Sequence, residues 1–498
     1  MKHDLEAFFK EYKDKNSAYD IALGTLSFDM ATVAPTKGKA YRNKMFSILS
    51  GEAFSRMTDT ESLAKIEALA KQSNLDETLQ KELALYLRSL QDIRLLPKNE
   101  YIDFVRIIAD SQTAWEQAKN TNDYAFFKPH LEKVIAKQKE VLTYFNSDKS
   151  DYDYLLDKYQ FGMDSARYDT FFNTIKEELL PLIKKIQEKG HAIDDSILFE
   201  SFDVTKQKAF MKELCAYLKV DSEECYIGIS EHPFTEFFSA HETRITTHYY
   251  EHNVMSAILS TIHEYGHAKY ILQVNEDYDG TSLKSEIGFA MHESQSRFME
   301  NHIARSKSFW KPIYPKLQSI FSEQLGSVSL DSFIKMINVT RPSFIRTEAD
   351  ELTYPIHVLI RYELEKEIMN GNVDFEQLNT LWNDKYEAYL GIRPKNDSEG
   401  ILQDMHWGAG NIGYFPTYAL GSAYAAQFYH QLQQDIDIDK LLEEGRFEDL
   451  YAWLRENIHQ YGAFLSADEI IAKTTHEAFN VNYYISYLKQ KYTTLYEL

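Results

Sequence analysis

The segment Thr261-Ile-His-Glu-Tyr-Gly-His-Ala-Lys-Tyr270 constrains this chain more than any other. Its two histidines, His263 and His267, stand four residues apart, with Glu264 beside the first. On a helix, positions i and i+4 lie one turn apart on the same face. Two imidazoles so placed can hold one zinc ion, and Glu264 can reach the same water. Val254, Met255, Ile258, Leu259 and Ile262 recur at helical spacing ahead of the motif. They predict a helix with one face in the core and Asn253 as its N-cap. Together these residues make the opening half of a metallopeptidase site.

Composition narrows the scaffold. Only 19 Gly and 11 Pro in 498 residues argue against a loop-rich all-β chain and for long helices. No uninterrupted apolar run approaches the ~18 residues of a membrane-spanning helix. The start, Met1 to Lys10, is charged throughout and lacks an apolar signal core, so a cytoplasmic protein is expected. Cys215 and Cys225 then read as free thiols in a reducing compartment, and their spacing does not suit zinc. A net charge of −22 disfavours nucleic acid, whose phosphates need clustered Lys and Arg.

Residues 1–220 read as successive amphipathic helices. Leu131, Val134, Ile135, Val141, Leu142 and Phe145 form one apolar stripe, interrupted by Gln138. Breaks fall near Ala34–Gly38, Leu96–Asn99 and Asn120–Asp123. Cys225–Ile229 and Arg244–Tyr250 are rich in β-branched and aromatic residues and predict a short hairpin or small sheet. Phe375 to Leu390 reads as a helix capped by Asp374 and closed by Gly391. The expectation is a mostly α protein, 1–498 as one domain, with a small β element before the metal helix. Within it, 1–220 is a helical region and candidate groove lid, and 221–498 is the catalytic region.

A catalytic zinc site usually takes a third protein ligand and leaves a fourth position to water. The continuation H-x-x-G-x-x-H is missing after His267. Glu293, in Met291-His-Glu-Ser-Gln-Ser-Arg-Phe-Met-Glu300, is a candidate if a second helix folds back along the first; spacing alone leaves it one acid among many.

Several ordered motifs accompany it: His232-Pro-Phe234, His263–His267, His292-Glu-Ser-Gln295, Ile345-Arg-Thr-Glu-Ala-Asp350 and Gly400-Ile-Leu-Gln-Asp-Met-His-Trp407. In that order they resemble the carboxypeptidase Taq family of zinc carboxypeptidases. A sixth motif, D-x-R-x-T in the family, reads Glu242-Thr-Arg-Ile-Thr246 here, with an acid one methylene longer. The resemblance implies His263, His267 and Glu293 as ligands of one Zn2+ per chain, with Co2+ as a substitute, and Glu264 as catalytic acid/base. It also implies a helical, two-lobed, gluzincin-type fold with a deep groove, a homodimer, and removal of single residues from peptides with a free C-terminus.

The chemistry asks for more groups. An oxyanion needs donors besides the metal, and His406 and Tyr414 are the downstream candidates. A free α-carboxylate suits a guanidinium, and Arg346 and Arg244 lie inside family motifs, with His232 a further candidate for that pocket. A local ion pair of Arg346 with Asp350 is the alternative reading of that arginine. The strand from Arg244 to Tyr250 is a candidate for binding substrate by strand addition. A zinc endo-oligopeptidase or a dipeptidyl carboxypeptidase is the alternative function.

Overall fold

Asn253 caps its helix: its side chain accepts the backbone N–H of Ser256 at 3.2 Å. The computed structural model of the protein describes residues 2–145 and 147–498. Six of its helices position the site: α1 (Lys2–Thr32), α2 (Asp151–Tyr159), α3 (Val254–Gln273), α4 (Phe289–Arg297), α5 (Tyr354–Met369) and α6 (Pro416–Asp435). Further helices fill most of the remaining chain, and none of those described is long and apolar enough to cross a membrane. The fold is mostly α.

Two apolar clusters form the interior. The larger draws buried side chains from Leu96 to Tyr496 and surrounds α3, α5 and α6. The smaller gathers Phe9, Tyr12, Ile66, Leu69, Leu75 and Leu83 from α1 and the helices after it. The predicted stripe from Leu131 to Leu142 faces the larger cluster, and Gln138 is buried along with it. Phe375 to Leu390 begins as a 3-10 turn, Phe375–Gln377, before the α-helix Leu378–Leu390, and Gly391 closes it with φ 70.

The β element is a three-stranded sheet rather than a hairpin. Strands β1 (Cys225–Ile229), β2 (Thr235–Ser239) and β3 (Glu242–Thr247) take the order β1-β3-β2, with β1 parallel and β2 antiparallel to β3. Thr235 pairs with Ile245, and Glu236 with Arg244. Paired residues share a sheet face. Thr235 and Thr247 therefore face α3, where their hydroxyls reach Glu264 and Ala257 O. Arg244 faces the other way, toward Phe28 of α1.

Candidate metal centre

Two helical glycines bring the ligands together. A Cβ on Gly266 would lie 2.6 Å from Gln295 O and 2.7 Å from Ser296 Cα. Helices α3 and α4 thus touch backbone to backbone in the middle of the His263–His267 turn. On the far side of α4, a Cβ on Gly421 of α6 would meet Glu293 Cβ at 2.8 Å and Ala290 O at 2.9 Å. Glu293 is held between α3 and α6 at a separation that only glycine allows.

Glu293 Oε2 lies 3.8 Å from His263 Nε2 and 3.5 Å from His267 Nε2. One donor atom from each of the three residues falls within 4.8 Å of the others. The other oxygen, Oε1, accepts Arg297 Nε–H at 2.7 Å, which leaves Oε2 for the side of the histidines. Burial alone would raise the Glu293 carboxyl, but the Arg297 guanidinium and the two imidazoles outweigh it and hold the group ionised, well below the usual carboxylate range.

Both histidines have their second nitrogen engaged. Nδ1 of His263 lies 2.9 Å from Glu300 Oε2, and Nδ1 of His267 lies 2.6 Å from Nδ1 of His292. Glu300 sits in a π-helical stretch, Phe298–Ile303, that continues α4; such stretches cluster at functional sites. Arg297 Nη1 also reaches Glu300, at 3.1 Å. Burial, then the neighbouring His267, drives the His292 imidazole down to about 3, so it stands neutral and can accept the His267 N–H. Two Nε2 atoms facing one carboxylate oxygen, each ring oriented through Nδ1, form the donor set and outer partners that suit a divalent ion such as zinc.

Glu264 points to the same region. Its Oε2 accepts the Thr235 hydroxyl at 2.6 Å, which ties the end of β2 to the metal helix. The loop before α6 supplies the aromatic side. His406 and Tyr414 rings lie 5.5 Å apart, and Tyr418 OH is 3.4 Å from His406 Nε2. Phe289 of α4 packs on Tyr414 at 5.0 Å, four residues before Glu293 in sequence.

The profile of the carboxypeptidase Taq (M32) metallopeptidase family matches residues 8–492. The chain belongs to that family. Carboxypeptidase 1 of Bacillus subtilis (strain 168) is 39% identical over 498 residues, covering 100% of this chain and 99% of its own. Thermostable carboxypeptidase 1 of Pyrococcus furiosus is 33% identical over 95% of each chain. The solved M32 carboxypeptidase from Deinococcus radiodurans R1 superposes with a TM-score of 0.94 at 29% identity, over 98% of both chains. As a carboxypeptidase Taq family member, this chain is a metallocarboxypeptidase acting on peptides, and the endo-oligopeptidase and dipeptidyl carboxypeptidase readings are not favoured.

The arginine candidates of this metallocarboxypeptidase are placed differently from the ligands. Arg346 is buried and donates Nε and Nη2 to Asp404 Oδ1 at 3.1 and 2.9 Å, and Nη1 to Tyr354 OH at 3.1 Å. Arg361 closes the same carboxylate from the other oxygen at 2.7 Å. Asp350 is not its partner; it accepts Thr340 Oγ1 at 2.6 Å and the Arg341 N–H at 3.0 Å. Arg244 is partly exposed, pairs with Glu242 at 2.6 Å and lies over the Phe238 ring. His232 is exposed, and its carbonyl accepts the Ser230 hydroxyl at 2.6 Å. Strand addition on β3 is ruled out, because both its edges are already paired, to β1 and to β2; β2 is the edge strand bordering Glu264.

Sequence reasoning did not single out Glu300, the contact of His292 with His267, Asp404 as the Arg346 partner, or Tyr418. Glu293, Arg297 and Glu300 follow one another at i, i+4 and i+7, an acid–base–acid row that is readable on a helix.

Proposed function

We propose that this metallocarboxypeptidase uses one zinc ion held by His263, His267 and Glu293, and removes single residues from peptides with a free C-terminus. The observation that carries the reading is the convergence of three donor atoms within 4.8 Å, with both ligand imidazoles fixed through Nδ1. When bound there, zinc supplies Lewis acidity to the attacking water and to the scissile carbonyl. Glu264, with one oxygen on Thr235, takes the water proton on the other and hands it to the departing amine nitrogen as the C–N bond breaks.

His406 and Tyr414 are the proposed donors to the oxyanion. Burial keeps both in a single protonation state near neutrality: it drives His406 down to about 4 and pushes Tyr414 up to about 12. Each then carries one N–H or O–H to give. The free edge of β2 is placed to bind the peptide backbone. Arg346, Arg244 and His232 are the proposed contacts for the terminal carboxylate; of the two arginines, Arg244 is the one not closed in by a buried acid.

The same reading extends to a cytoplasmic homodimer of single-domain chains. Cys215 and Cys225 are unpaired, with burial pushing their thiols up to about 12 and 11, as suits a reducing compartment. The dimer rests on the family resemblance, and light scattering on the purified protein tests it.

Digestion of one defined free-acid peptide, followed by mass spectrometry with and without a chelator, tests the activity. Stepwise loss of single C-terminal residues that stops on chelation is expected. Zinc content of Glu293→Ala tests the ligand set, and full occupancy in that variant would refute it.

A further inference from the structure

Glu365, on α5, has no exposed surface, yet no lysine, arginine or histidine donates a hydrogen bond to it. Three neutral donors converge on it instead. Trp407 Nε1–H reaches Oε1 at 2.8 Å, while the Gly413 N–H and the Tyr152 hydroxyl reach Oε2, each at 3.0 Å. A carboxylate this deep in an apolar core is costly, and an apolar side chain of the same volume would fill the space at less cost. The sequence positions of its partners suggest what it does.

Trp407 directly follows His406, and Gly413 directly precedes Tyr414. One carboxylate therefore grips both ends of the segment that separates the two proposed oxyanion donors. Gly413 has φ +90, and a Cβ there would lie 3.1 Å from the Leu155 backbone of α2. The turn is pressed against α2, whose Tyr152 completes the hydrogen bonds to Glu365 and whose Tyr159 meets the Tyr414 ring edge-on at 5.2 Å.

We infer that Glu365 is a positioning residue for catalysis: by binding Trp407 Nε1 and Gly413 N with its two oxygens, it fixes His406 and Tyr414 relative to each other and to the scissile carbonyl. The inference rests on the reading of His406 and Tyr414 as oxyanion donors. The carboxylate is specifically suited to the task, because both its oxygens accept and all three neighbours donate. A glutamine would turn an amide N–H toward either Trp407 Nε1–H or the donors at Oε2, so one end of the segment would be released.

The test is Glu365→Gln, assayed on one free-acid peptide after metal content and thermal unfolding have been checked. A donor displaced by about 1 Å costs on the order of 100-fold in rate. The expected result is a kcat loss of roughly that size, with KM nearly unchanged and metal fully retained. Adding Tyr414→Phe to Glu365→Gln should cost little more, because the displaced phenol is already lost to the reaction. A kcat within about twofold of wild type, or losses that multiply, would overturn the inference. A variant that merely weakened the fold would not give that split or that non-additivity. If Glu365→Gln fails to fold, Trp407→Phe removes one arm of the grip and should show the same kcat-only loss; unchanged kcat there overturns the inference equally. The two layers fail separately. Normal kcat in both Tyr414→Phe and His406→Ala removes the donor reading and this inference with it. Loss in those two beside normal kcat in Glu365→Gln removes the positioning role alone.

Discussion

Glu300 Oε2 stands 2.9 Å from Nδ1 of His263, while Nε2 of the same ring faces Glu293. The carboxylate fixes the tautomer, so that the proton sits on Nδ1 and the lone pair is presented where the ion binds. Burial alone would raise the Glu300 carboxyl; Arg297 and His263 hold it down at about 2, so it accepts that proton's hydrogen bond throughout the neutral range. Partners of this kind typically contribute 10–100-fold to metal affinity. Glu300→Ala should weaken zinc retention by about that factor in chelator competition, and an unchanged dissociation constant would show that His263 is oriented by packing alone.

Glu264→Gln keeps size and shape but cannot take a proton. Loss of a positioned acid/base costs about 100- to 10,000-fold in rate, so kcat should fall by that much while bound metal stays at one per chain. Thr235→Val, which removes the 2.6 Å hydrogen bond to Glu264, should lower kcat less and leave metal untouched. Near-normal turnover in Glu264→Gln would move the base to another residue.

Gly266→Ala tests the backbone contact that sets the site. The added methyl would sit 2.6 Å from Gln295 O, where no flexible side chain can yield. Overpacking of this kind costs about 1–3 kcal/mol, and separating α3 from α4 also draws Glu293 away from the histidines. Both the unfolding midpoint in urea and the zinc affinity should drop. A drop in stability with intact affinity would place the give elsewhere in α4.

The same glycine shows what the sequence carries. A glycine inside an otherwise regular helix marks a close backbone approach, so the crossing of α3 and α4 was readable in principle, although its partner, Gln295, was not. Asn253 as N-cap was legible because capping is local. Arg346 was not: the i+4 rule points to Asp350, but Arg346 opens a 3-10 turn, Arg346–Glu348, where that geometry does not exist. Its partner Asp404 lies 58 residues on, a pairing set by tertiary packing. The sheet order failed for a related reason. Strand composition predicts β1 and β3, but a parallel β1–β3 pair with β2 on the outer edge depends on the connection between them.

Arg346→Ala is expected to read out first as instability. Removing one member of a buried, hydrogen-bonded ion pair costs about 3–5 kcal/mol because the partner charge is stranded; Arg361 remains on Asp404 and softens the loss. Arg244→Ala leaves no buried charge behind. If Arg244 binds the terminal carboxylate, KM should rise on free-acid peptides and not on amidated ones. A KM rise on free-acid peptides in a well-folded Arg346→Ala protein, with none in Arg244→Ala, would assign the carboxylate to Arg346.

Glu365 also predicts a pH dependence of stability. Burial pushes its carboxyl up to about 7 from 4.5, against the opposing hydrogen bonds from Trp407, Gly413 and Tyr152. Between those two values the native state binds more protons than the unfolded chain, so stability falls as pH rises. The contribution of this residue is whole below pH ~4.5, declines through pH ~7 and is flat above it, a change of roughly 3 kcal/mol. Glu365→Gln abolishes the ionisation and should remove that slope. Urea unfolding of both proteins at about pH 5 and pH 8 should then show the variant gaining on the wild type at the higher pH. Equal changes in the two proteins across that interval would mean that Glu365 does not titrate there.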